Sequence, residues 1–187
     1  DPAYAMDGEE LSVSAAIGIA LAGPSGESPN DLLAAAQAAM RQAKSSGGRR
    51  YRVFEPSMLI KRQRELSLED PLRRAMPAGE FSLVYQPIVR AGQQEIRAVE
   101  ALLRWNSPHQ GNVPPAEFIP ILEQCGLIVD VGNWVLREAA RRVHSWMQRG
   151  APPITVSVNV SPLQFADPDF VPKTLNTLLT VGLDPKL

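Results

Sequence analysis

The sequence predicts an α/β domain whose parallel strands curve toward a barrel, preceded by a smaller α+β piece. In residues 154–161, Val156, Val158 and Val160 alternate with Thr155, Ser157, Asn159 and Ser161. One face is therefore apolar and the other small and polar. Small polar groups in a strand flanked by helices are costly in an ordinary core, and fit better pointing into a barrel whose mouth is a site. Strand, helix, helix, strand and helix follow in that order through the second half of the chain, the order of an α/β domain with parallel strands. Residues 97–105 divide in the same way, with Val99, Ala101, Leu103 and Trp105 on one face and Ala98, Glu100, Leu102 and Arg104 on the other. An acid and a base on one strand face suit a cation and the phosphate it touches, or a solvated edge strand, and this stretch alone leaves both open.

At 187 residues, 44% of them hydrophobic, the chain is long enough for one medium or two small domains with a core. Nineteen Lys and Arg against 20 Asp and Glu leave a net charge of -1. Neither a nucleic acid polymer nor direct membrane contact is expected from that balance. Arg49, Arg50, Arg52, Lys61, Arg62 and Arg64 cluster in sequence and read as a solvated linker rather than a polyanion site. Cys125 is the single cysteine, which fits a reducing compartment and a buried, non-catalytic thiol. A cytoplasmic location is expected, any membrane anchor of a longer parent lying outside these residues. The small apolar run over residues 15–23 is too short to span a bilayer.

Residues 1–10 are polar and predict no element. Residues 11–21 read as a strand with Val13, Ala15, Ile17 and Ile19 on one face and Gly18 marking a close approach. A turn over residues 23–26 leads to Ser28, which caps a helix with Pro29 in its first turn and Asp31 placed for a capping box. Leu32, Leu33, Ala36, Ala39, Met40 and Ala43 recur at helical spacing until Gly47 and Gly48. A short strand follows over residues 51–54. Residues 56–76 read as a charged linker helix interrupted at Pro71, with a second helix beginning after Asp70.

Residues 81–86 alternate as a strand ending at Pro87, and the short turn at Gly92, Gln93 and Gln94 makes it an antiparallel neighbour of the Glu100 strand. Residues 107–115 form a loop. Pro115 opens a helix with Phe118, Ile119, Ile121 and Leu122 that ends at Gly126. Asp130 caps the next helix, lined by Val131, Trp134, Val135, Ala139, Val143, Trp146 and Met147 and stopped by Gly150. The last helix covers residues 168–181. Glu100, Arg104 and Asn159 lie toward the C-terminal ends of strands, where α/β barrels carry their chemistry. His109, His144 and Cys125 match no metal-ligand spacing.

Tyr85-Gln86-Pro87-Ile88, Glu100-Ala101-Leu102-Leu103-Arg104-Trp105, Pro115 with Phe118-Ile119-Pro120, Gly126-Leu127-Ile128, Trp134-Val135-Leu136, Asn159-Val160-Ser161 and Gln164-Phe165 stand in this order. With these motifs, residues 81–187 resemble the N-terminal half of an EAL domain, the (β/α)8 barrel with an antiparallel first strand found in cyclic di-GMP phosphodiesterases. The resemblance implies Glu100 and Asn159 as ligands of Mg2+ or Mn2+, with Glu100 catalytic. It places Gln86 and Arg104 on the dinucleotide and Leu102 and Pro115 in the pocket wall. It implies metal-assisted hydrolysis of cyclic di-GMP to linear pGpG and a homodimer through the EAL domain. The fourth barrel strand with its glutamate, the acidic pair of the two-metal site, the lysine near the attacking water and the loop coupling dimerisation to activity are expected beyond Leu187. The 187 residues alone are expected to associate or be unstable, to bind metal poorly and to hydrolyse nothing. The alternatives are a non-catalytic cyclic di-GMP receptor or regulatory module, and an unrelated barrel enzyme for phosphorylated substrates.

Residues 1–55 resemble the C-terminal part of a GGDEF domain, the diguanylate cyclase fold, through Ser14-Ala15-Ala16-Ile17-Gly18-Ile19-Ala20, Leu32-Leu33, Ala39-Met40, Ala43-Lys44, Gly47 and Tyr51. Gln37, Arg41 and Gly48-Arg49 depart from that pattern. The expected organisation is a GGDEF tail over 1–55, a helical linker over 56–80 and the EAL half over 81–187.

Overall fold

A computed structural model describes residues 4–6, 9–11, 14–23, 28–90, 92 and 96–187. The chain forms two compact units, Asp1–Leu66 and Ser67–Leu187. No helix among the described residues is long and apolar enough to cross a membrane.

In the first unit β1 (Tyr4–Met6) and β2 (Glu9–Leu11) pair antiparallel, where the polar sequence predicts no element. β3 (Ala16–Ile19) and β4 (Arg50–Val53) pair parallel, with α1 (Pro29–Ser45) as the crossover between them. The expected cap forms. The Asp31 N–H donates to Ser28 Oγ at 3.2 Å and the Ser28 N–H donates to Asp31 Oδ2 at 3.3 Å. The buried stripe of α1 is Ala35, Ala38, Ala39 and Ala43, while Leu33, expected inside, is 58% exposed. Alanines bring the helix close to β3: a Cβ on Gly18 would collide with the Ala36 carbonyl oxygen and the Met40 nitrogen. The Gly18 side of β3 therefore faces α1, and Ile17 on the side read as apolar is exposed. Val13 and residues 24–26 of the expected turn lie outside the described residues.

α2 (Pro56–Ala75) runs without interruption through Pro71, correcting the expected break. Proline removes one donor, but Leu68, Leu72 and Ala75, at helical spacing around it, are all buried and hold the turn in place.

The second unit is built on β6 (Ile96–Ser107). β5 (Phe81–Val89) pairs antiparallel along one edge, from Phe81 opposite Trp105 to Val89 opposite Ile96. β5 continues through Pro87, and among the described residues it is an edge strand, where proline is tolerated. The other edge of β6 is shared. β8 (Thr155–Val158) runs parallel beside Ala98 to Ala101, and β7 (Gly111–Val113) returns antiparallel onto Trp105 to Ser107. β7 lies inside the stretch expected to be loop. Gln93 and Gln94 of the predicted turn lie outside the described residues.

α3 (Pro115–Gln124) and α4 (Ile128–Gln148) cover the apolar face as expected. Asp130 does not cap α4. The cap position is Leu127, without a side-chain bond, and Asp130 sits in the first turn, where a carboxylate still favours the positive end of the helix. β8 is shorter than expected, and α5 (Pro162–Phe165) and α6 (Phe170–Val181) follow it. The core sits between this face and the helices. Trp105 and Phe118 are both 0% exposed, with ring centroids 5.7 Å apart in an edge-to-face arrangement. The Trp105 Nε1–H donates to Glu80 Oε2 at 2.8 Å, so the buried indole leaves no donor unpaired. Val131, Val135, Ala139 and Val143 form the buried stripe of α4.

Candidate functional site

The alternation read from the sequence holds on β6. Val99, Ala101 and Trp105 are buried, while Glu100, Leu102 and Arg104 are half-buried on the opposite face. Register then builds a polar row across three strands, with Gln86 of β5 opposite Glu100 and Ser157 of β8 beside it. Cross-strand partners share a face, so this row belongs to the side away from the helices. Tyr85, one position earlier, points the other way. Its ring packs edge-on against Trp146 at 4.9 Å, and burial raises its phenol above the ordinary value while the Arg142 guanidinium opposes the rise.

Beyond Val158 the chain leaves the ladder as Asn159, Val160 and Ser161. Asn159 still projects with the polar face, and its Nδ2–H donates to Glu100 Oε1 at 2.8 Å. Val160, on the face read as apolar, is instead 41% exposed, because the strand has already ended. The edge of β6 between Ala101 and Trp105 is left uncovered by β8 and β7. A cavity of about 350 Å³ opens there between that edge and the helices, its wall formed by Leu103, Ile119, Val131 and Val135 of the apolar side together with Leu102, Arg104, Pro115, Glu123, Asn159 and Gln164. That volume lies at the small end of the range for ligand sites, about 300–1,000 Å³.

Of the sequence-derived residues, Leu102, Arg104, Pro115 and Asn159 line one cavity, and Glu100 adjoins it through its bond to Asn159. Gln86 stands one strand away, exposed and outside the lining. Arg104 Nη1 donates to the Leu103 carbonyl at 2.9 Å, which draws the guanidinium back along its own strand. Glu123, Ser161 and Gln164 also line the cavity and were not singled out for it. The Ser161-Pro162-Leu163-Gln164 spacing carried a readable signal, since Ser-x-x-Gln is a capping box. Glu123 follows the cavity-lining Ile119 by one helical turn.

The donor chemistry at Glu100 and Asn159 fits a hard cation. A carboxylate oxygen already meets the Asn159 carboxamide, and a half-turn of that group presents its oxygen in place of the nitrogen. Mg2+ is commonly held by one or two carboxylates together with waters and substrate phosphates. Among the described residues no three His, Cys, Asp or Glu side chains gather as a metal cluster. The pair is thus a partial ligand set.

The chain belongs to the EAL domain family, whose model matches residues 69–186, nearly the whole second unit. It is 41% identical over 182 residues to the bifunctional diguanylate cyclase/cyclic di-GMP phosphodiesterase MucR of Pseudomonas aeruginosa, an alignment covering 97% of this chain and 27% of the relative. Over 158 residues it is 37% identical to the cyclic di-GMP phosphodiesterase PdeR of Escherichia coli, covering 84% of this chain and 24% of that one. Among solved structures it resembles the PaMucR phosphodiesterase in complex with c-di-GMP, with a TM-score of 0.62 and 41% identity over 64% of this chain and 48% of that chain. The chain therefore spans about a quarter of the length of these curated relatives.

Proposed function

We propose that this chain carries the first part of a cyclic di-GMP site and that the protein bearing it is a metal-dependent phosphodiesterase yielding linear pGpG. The observation that carries the proposal is the Glu100–Asn159 contact beside a cavity lined by Leu102, Arg104 and Pro115. Glu100 and Asn159 would hold Mg2+ or Mn2+, which when bound lowers the pKa of a water and offsets charge growing on phosphorus. Arg104 is placed to pair with a phosphate, which requires its guanidinium to leave the Leu103 carbonyl. Leu102 and Pro115 give the apolar wall on which a base rests. Gln86 completes the polar row from β5. The relatives named as phosphodiesterases and the c-di-GMP complex support this reading.

The parallel β3–α1–β4 unit and the alignment with a bifunctional relative over 97% of the chain support a GGDEF tail over 1–55 and a linker over 56–80. The enzyme is expected in the cytoplasm and as a dimer through the EAL domain. A receptor without turnover is the second reading, favoured by the single carboxylate that meets Asn159. Two assays separate them. Titration of the protein bearing the chain with cyclic di-GMP is expected to show binding that Arg104→Ala weakens. The protein bearing the chain is expected to release pGpG with Mg2+ or Mn2+, and to stop when Glu100 becomes Ala. Binding without product would assign the receptor, and absence of binding would overturn both readings.

A further inference from the structure

We infer that Gln164 is a positioning residue, holding Asn159 against Glu100 by tying the end of β8 to α4. Gln164 is a polar side chain only 5% exposed in a unit whose other buried side chains are nearly all apolar. Its Oε1 accepts the Ser161 N–H at 3.2 Å, and its own N–H donates to Ser161 Oγ at 3.2 Å. Asn159 lies two residues before Ser161, where the chain has already left the β8 ladder. With no strand partner to hold that segment, the Ser161 clasp supplies its anchor.

The other end of the anchor is α4. The Gln164 side chain lies directly on Gly132, where a Cβ would overlap its amide group. Gly132 stands beside Val131, which is 3% exposed and belongs to the core around Trp105 and Phe118. A fixed helix thus receives the Gln164 amide in a space only glycine leaves, and Gln164 passes that position to Ser161 and Asn159. Outer partners that orient first ligands commonly change metal affinity or activity by about 10- to 100-fold when removed. Gln164 also lines the cavity wall, but its contribution runs through the backbone of Ser161 rather than through a ligand.

The inference deepens the proposed function and rests on it for the identity of the ligand only. Two variants of similar volume test it, because neither empties the space on Gly132. Gln164→Met removes the acceptor for the Ser161 N–H, and Gln164→Glu keeps one. The readouts on the protein bearing the chain are the side-chain amide resonances of Asn159, assigned by their loss in Asn159→Ala, and the affinity for cyclic di-GMP with Mn2+. Gln164→Met is expected to move the Asn159 amide pair to the position of a free carboxamide and to weaken binding by about tenfold, with cooperative melting retained. Gln164→Glu, which keeps an acceptor for the Ser161 N–H, is expected to leave the Asn159 resonances in place and to weaken binding less than Gln164→Met does. Unmoved Asn159 resonances in Gln164→Met would overturn the inference. Loss of cooperative melting in that variant would overturn it too, by assigning Gln164 to the stability of the whole unit. If the wild type binds no cyclic di-GMP, the functional reading fails, while the resonances still decide the role of Gln164.

Discussion

Glu100 and Asn159 stand 59 positions apart in the sequence and meet at 2.8 Å because neighbouring parallel strands carry them to one end of the sheet. Replacing Glu100 with Gln keeps the shape and an acceptor for Asn159, yet removes the charge that a cation needs. The expected result is a loss of about 1,000-fold in pGpG formation by the protein bearing the chain, matching about 4 kcal/mol of metal stabilisation. Steady-state hydrolysis assays check it. A second residue-scale effect lies at the start of α6. A hydrogen bond from Lys173 at 2.9 Å, then the Asp169 N–H, holds the Asp167 carboxyl below its ordinary value, and the same pair raises Lys173. A depressed carboxyl adds stability above about pH 4, lost as pH falls through its lower folded value. A raised ammonium adds stability below about pH 10.4, lost as pH rises through its folded value. Lys173→Met is therefore expected to flatten the acid limb of the melting profile slightly, since both groups face water. Thermal melts at acid and neutral pH check it.

At the scale of elements, periodicity was a good guide where one neighbour sets the environment and a poor one where several do. The capping box of α1, the apolar stripe of α4 and the antiparallel β5–β6 pair were all legible, because each follows from local spacing. The faces of β3 were not, because Gly18 rather than Ile17 meets α1. Gly18→Ala is expected to force the helix off the strand at about 1–3 kcal/mol. Loss of hydrogen-exchange protection across residues 29–45 checks it. Pro71 misled in the same manner: its ring reads as a break, but burial of Leu68 and Leu72 outweighs one lost bond. Trp105, with its indole paired to Glu80 and its ring against Phe118, is the centre of the second unit. Trp105→Ala is expected to cost about 3–5 kcal/mol, measured by urea unfolding.

Across the whole molecule, the residues that line the cavity were more legible than those that support them. Leu102, Arg104, Pro115 and Asn159 were identified from motif order and do line one cavity, whereas Gln86 stands apart from it, Glu123 was overlooked, and Gln164 was quoted in a motif without a site role. Motif order marks residues that bear chemistry, but register and strand ends decide which of them meet. β8 stops at Val158, and that early stop frees the edge of β6 and opens the cavity. The second unit coincides with the EAL match, so the proposed chemistry belongs to residues that fold together. The central claim is the proposal that the edge of β6 and the end of β8 form the first part of a dinucleotide site. Adding cyclic di-GMP and Mn2+ to the isotopically labelled protein bearing the chain and recording amide shifts tests it most directly. The account predicts shifts concentrated at Glu100, Leu102, Arg104 and Asn159 and abolished in Arg104→Ala. Shifts confined to residues 1–66, or unchanged by that substitution, would contradict it.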